Sequence, residues 1–123
     1  MKSLIRSSIF LFILFLTNCK TDKSQLTGYD IELFKETPVW ELAKAVEEEN
    51  VKEIEEIVNL GKLNVDCIDP KLGMNLLNWA VFNDKLKSTK ILAELGASPN
   101  IQDNMGVTAL IEASTKLNNT SYL

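Results

Sequence analysis

Histidine is absent from the 123 residues, and arginine occurs once, as Arg6. Without histidine there is no Ser-His-Asp triad, no Cys-His dyad, no HExxH zinc site and no imidazole base. With its one arginine at position 6, the chain offers no pair of guanidinium groups elsewhere to clamp a phosphate or carboxylate. Cys19 and Cys67 are the only cysteines, too few for a disulfide framework. A basic surplus is missing too: 13 basic side chains face 17 acids. That balance argues against nucleic acid, where a basic face supplies most of the affinity. It argues equally against a polybasic membrane contact. No Gly-rich phosphate loop is present. The sequence therefore leads us to expect no cofactor, no metal and no small-molecule substrate.

The beginning of the chain is informative. Residues 1–8 carry Lys2 and Arg6 and no acid, and residues 9–16 read IFLFILFL. A basic start, a short apolar core and a small-residue exit describe a secretory signal peptide. The run is too short to span a bilayer, which takes about 20 residues, and Arg6, Ser7 and Ser8 interrupt it upstream. Leu16-Thr17-Asn18-Cys19 resembles the lipobox of bacterial lipoproteins. That resemblance implies a signal peptide over residues 1–18, cleavage before Cys19 and diacylglyceryl on its sulfur. Asn18 departs from the commoner Gly or Ala. Two or three acyl chains hold a protein stably, each buried CH₂ adding about 0.8 kcal/mol. An uncleaved anchor and a plain signal peptide are the alternatives. Lys20, rather than Asp, follows the cysteine, which favours the outer membrane and leaves its face open. The mature chain would be 105 residues long, positions 19–123, with 11 basic side chains against 17 acids and a net charge of −6. That suits one small domain on a tether.

Residues 20–28 (KTDKSQLTG) read as the flexible tether. Residues 29–34 fit either a short strand or a turn of helix. Beyond them the chain has a period. Residues 73–80 (GMNLLNWA) are echoed by 106–113 (GVTALIEA), an offset of 33, and periods of this size mark solenoid repeats. Asp69 and Asp103 lead into the two glycines. A first helix is expected over 38–48, with Thr37 as N-cap, Pro38 in the first helical position and Leu42, Ala43, Ala45 and Val46 inward. Asn50 and Glu53 open a second helix in the manner of a capping box. Its stripe is Val51, Ile54, Ile57 and Val58, and Gly61 ends it. Residues 64–72 carry the turn chemistry of a hairpin tip. Asn75 caps the next helix, with Leu76, Leu77, Ala80 and Val81. Residues 86–95 follow, ended by Gly96, then a second finger at 97–105. Thr108 starts a third unit that stops after its first helix.

These residues resemble the ankyrin repeat, D-x-x-G-x-T-P-L-H-x-A followed by L-L-x-x-G-A-x-x-N. The middle unit matches at Gly73, Leu77, Ala80, Ile91, Leu92, Gly96, Ala97 and Asn100. The third matches at Asp103, Gly106, Thr108, Leu110 and Ala113. In the degenerate first unit Thr37-Pro38-Val39-Trp40 stands where T-P-L-H would. The resemblance implies an all-α, ankyrin-type helix-turn-helix solenoid with short β-hairpin fingers. Its domain is 29–123, with units at 37–72, 73–105 and, in part, 106–123. Asn78 and Ile111 replace the family histidine, which is expected to weaken a hydrogen bond to the Thr-type cap. Leu77 and Leu110 are expected to fill the gaps between neighbouring units.

The resemblance implies a module that captures a protein partner on its concave and finger surface. Carried over by position, the contact residues are Ile68, Lys71, Leu72, Met74, Phe82 and Asn83. In the following unit they are Gln102, Asn104, Met105, Val107, Thr115 and Lys116. Immunity to a toxin and scaffolding are versions of this role. A truncated gene remnant without binding is the alternative, and a carboxylate-dependent hydrolase the less favoured one. Trp79 reads as core, Phe82 as either contact or packing, and Cys67 as an idle thiol. The glutamates at 47–49, 53, 55 and 56 read as a solvated face. Sequons in residues 118–121 mean little in a bacterial chain.

Overall fold

The computed structural model describes residues 26–118. The leader, Cys19, the tether up to residue 25 and the tail from 119, with Tyr122 and Leu123, lie outside the described residues. Within them the fold is all-helical: α1 (Trp40–Glu47), α2 (Val51–Asn59), α3 (Leu76–Phe82), α4 (Leu86–Glu94) and α5 (Ala109–Asn118). A single 3-10 turn, Ile31–Phe34, precedes them. It decides between the two expectations for that segment, and buries Ile31, Leu33 and Phe34 against α1.

The helices form two rows. Helix α3 lies between α1 and α5, while α2 packs beside α4. Sequence dictates which face each one buries. In α1, Leu42, Ala43, Ala45 and Val46 are buried and the intervening Glu41 and Lys44 pair at the surface at 2.9 Å. In α2 only Ile54 is fully buried, flanked by half-buried Val51, Ile57 and Val58. Helix α3 has neighbours on several sides, and Leu76 through Val81 are all buried. Full burial of each large apolar side chain stabilises the fold by roughly 1.5–3 kcal/mol.

Asparagines start two helices. Asn50 Oδ1 accepts from Glu53 N at 3.2 Å, and Asn75 Oδ1 accepts from Asn78 N at 2.8 Å. Thr108 Oγ1 does the same for Ile111 N at 3.1 Å. Thr37 does not cap α1. Its hydroxyl donates to Phe34 O at 2.6 Å, because the chain leaves the 3-10 turn in further tight turns that hold Pro38 outside the helix.

The linkers inside each helix pair are alike. Glu49 (φ 55°) and Asp84 (φ 59°) occupy the left-handed region that usually calls for glycine. Each linker closes with the same backbone bonds, Asn50 N to Ala45 O at 3.0 Å and Lys85 N to Ala80 O at 2.8 Å. Both carboxylates then reach the following unit. Glu49 Oε2 accepts from Lys87 N at 2.8 Å, in the first turn of α4, and Asp84 pairs with Lys116 at 2.6 Å. Ser88, buried in α4, adds a further tie by donating to Val46 O at 2.6 Å.

Candidate functional site: fingers and groove

The two fingers are built on aspartate rather than on strand pairing. Asp69, fully buried, accepts from the backbone N–H groups of Lys71 (2.8 Å), Leu72 (2.6 Å) and Met74 (2.8 Å). Asp103 accepts from Met105 (2.8 Å) and Val107 (2.9 Å). Two backbone bonds close each turn, Asp69 N to Met74 O (2.9 Å) with Gly73 N to Asp69 O (3.2 Å), and Asp103 N to Val107 O with Gly106 N to Asp103 O, both 2.9 Å. The short β-hairpins expected here are turns, and no strand is found among the described residues. A carboxylate that satisfies two or three amides closes a turn without a ladder.

The fingers hold each other. Asn104 N donates to Leu72 O at 2.8 Å, and its side chain donates to Lys71 O at 2.7 Å. Gly73 has φ 73°, and a Cβ there would stand 2.7 Å from Asn104 Oδ1, so only glycine admits this approach. Behind the fingers, Asn75 Nδ2 donates to Asp66 Oδ1 and to Ser98 O, both at 3.1 Å. Asn78 Nδ2 donates to Ile101 O at 2.9 Å while its Oδ1 accepts from Ala109 N at 3.1 Å. Asn78 was expected to weaken a bond to the cap. It instead ties α3 to the second finger and to the start of α5.

The residues expected to contact a partner fall into two groups. Ile68, Gln102, Asn104, Met105 and Thr115 are exposed, Met105 most of all at 87%. The others turn inward. Met74 is buried, and Leu72 and Val107 are half-buried. Lys71 Nζ donates to Leu26 O, and Asn83 Nδ2 donates to Gly28 O and Trp79 O, both at 2.9 Å. Phe82 meets the Tyr29 ring with centroids 5.0 Å apart. Lys116 Nζ donates to Val81 O (2.6 Å) and Phe82 O (2.8 Å) at the carboxyl end of α3, where a cation is favoured. Residues 26–28, expected as the end of a flexible tether, thus lie on the domain. They cover Lys71, Phe82 and Asn83, and Leu26 packs against the core.

What stays open is a cavity of about 220 Å³ between the middle and last units. Met74, Phe82, Met105 and Val107 supply its apolar lining, and Asn78, Asp103, Thr108 and Glu112 its polar lining. The sequence reading missed those four polar residues. Glu112 stands one turn beyond Thr108, and its N–H donates to Thr108 O at 3.0 Å, so helical spacing alone places both on one side. On α2, Glu53, Glu55 and Glu56 are exposed. Among the described residues no cluster of acids or cysteines could hold a metal ion, and no helix is long and apolar enough to cross a membrane. Cys67 is a free, half-buried thiol. No protein-family model matches this chain.

Proposed function

We propose that this chain is an exported, lipid-anchored binding module of the ankyrin-repeat type that captures a protein partner on its second finger and the adjoining groove. The observation that carries this reading is Met105, a large apolar side chain 87% exposed at a finger tip and bordering an open, largely apolar cavity. Exposed apolar groups beside a pocket are what a protein partner uses as anchors. The 33-residue period, the two rows of helices and the aspartate-closed fingers support the ankyrin-type solenoid. The leader and the motif ending in Cys19 support export and lipidation.

Relative to the surface expected from sequence, the proposed one is narrower. Lys71, Phe82, Asn83 and Lys116 are half-buried, which leaves Gln102, Asn104, Met105 and Thr115 as the exposed set, with Ile68 at the neighbouring finger; Asn104 is exposed while bonded to the first finger. A photo-crosslinking residue placed in turn at Gln102, Met105, Glu48 and Glu55 of the full chain, in its own cells, tests the assignment. A discrete adduct from the finger positions and none from the glutamates is expected. Equal or reversed labelling rejects the surface. Azido-palmitate labelling of wild type against Cys19→Ala tests the anchor, and equal labelling rejects it.

A further inference from the structure

We propose that the cavity between the two fingers and α5 takes one lysine or arginine side chain, presented by the protein partner on an extended segment. This rests on the binding-module reading and names the chemistry it selects. The cavity is about 220 Å³, roughly the room of seven waters and below the size of ordinary small-molecule sites. It fits one long side chain. Its two kinds of wall call for two kinds of atom. Met74, Phe82, Met105 and Val107 offer an apolar sleeve, while two acidic residues, Asp103 and Glu112, line the same space. A lysine or arginine joins an aliphatic stem to a cationic head and matches both.

Asp103 engages only Oδ1, with the amides of Met105 and Val107. Neither Asp103 nor Glu112 has a cationic nitrogen within 4 Å in an ion pair among the described residues. Lys116, one turn beyond Glu112, donates to Val81 O, Phe82 O and Asp84, and its ammonium stands 6.0 Å from the Phe82 ring centroid at the edge of the cavity. An apolar occupant would desolvate two carboxylates without return, and an acidic one would be repelled. The acidic excess of the whole chain adds a field that draws cations in.

The test is selection of random hexapeptides displayed on phage against the full-length chain held in detergent micelles. Lysine or arginine should be enriched about tenfold at one position, the worth of a single charge-assisted hydrogen bond. Glu112→Gln keeps the shape and removes a charge, so enrichment should fall to near background. Unchanged melting temperature shows that the variant is folded. Asp103→Asn, which keeps an oxygen for the two amides, should reduce enrichment in the same way. Selection of apolar or acidic peptides without a cation overturns the proposal, as does enrichment that Glu112→Gln leaves intact. So does a dimer of the chain in light scattering that Met105→Glu dissolves, since the occupant is then a second copy. Adducts at Met105 alongside a selection without cations would sink this inference and leave the binding-module reading standing.

Discussion

Helices α3 and α5 carry the same pattern 33 positions apart, Leu77 answering to Leu110 and Ala80 to Ala113. In α3 every residue from Leu76 to Val81 is buried. In α5 Ala109 is buried and Ala113 half-buried, while Leu110, Ile111 and Leu117 are 57%, 51% and 54% exposed. Leu110 does not fill a gap between units, contrary to the expectation from its register. Ala109 and Ala113 make the contact with α3 instead. Among the described residues α3 has α1 on one side and α5 on the other, whereas α5 has α3 alone in its row. Local pattern selects the helix and its register. The neighbours decide what that register buries.

The largest effect should come from the leucine pair. Leu77→Ala is expected to cost about 2–5 kcal/mol, since it opens a cavity in a close-packed interior. Leu110→Ala should stay within about 0.5 kcal/mol. Urea unfolding of the two variants reads the difference directly. Equal losses would mean that the outer face of α5 is covered in solution.

The amide position comes next. Asn78→Leu removes the acceptor for Ala109 N–H and the donor for Ile101 C=O. Each group left buried and unpaired costs about 1–3 kcal/mol. Ile111, the matching residue in α5, is half exposed, so Ile111→Ala should change stability by less than about 0.5 kcal/mol. Matching losses at 78 and 111 would show that the bridge contributes nothing beyond helix propensity.

The helices were legible because their signals are local. Asn50, Asn75 and Thr108 cap from within a single turn, and the apolar stripes follow helical spacing. The 3-10 turn defeated the reading at Thr37, whose hydroxyl found a carbonyl behind it. The fingers were legible as turns but not as to how they close, because Asp69 and Asp103 replace ladder bonds with side-chain ones. The groove was least legible. Phe82 and Asn83 meet Tyr29 and Gly28, more than fifty positions away in sequence, and no periodicity reports such a contact. In the sequence Glu49 looks like a solvated acid and Asp84 like part of a polar turn. Their tie to the next unit depends on a left-handed backbone that nothing local requires.

Glycines extend the comparison at smaller scale. Gly73→Ala meets both a positive φ and Asn104 Oδ1 at 2.7 Å, whereas Gly106→Ala, at φ 79°, meets nothing within 4 Å. Both should lose the roughly 1–2 kcal/mol of a left-handed non-glycine residue. Gly73→Ala should lose more, because the Asn104 side chain, which bonds Lys71 O, must give way. Thermal unfolding that ranked Gly106→Ala as the worse variant would contradict the finger-to-finger contact.

The smallest effect concerns the acids that link the units. Glu49 and Asp84 share a backbone conformation but reach different targets, the start of α4 and the ammonium of Lys116. Glu49→Gln keeps the strained φ and removes the negative charge from a helix N-terminus, an interaction of about 0.3–1 kcal/mol at low ionic strength. Glu49→Gly loses the same contact and also relieves left-handed strain of about 1 kcal/mol, although the freer unfolded chain takes part of that back. The glycine variant should therefore be nearly neutral and the glutamine variant slightly destabilised, an order opposite to that expected inside a regular helix. At about 1 M salt, where charges are screened beyond about 3 Å, the glutamine deficit should shrink and the glycine variant should gain by a similar amount relative to wild type. A glycine variant clearly less stable than the glutamine one would show that the carboxylate contact outweighs the strain, and that the linker is held by its side chain rather than by its backbone bonds.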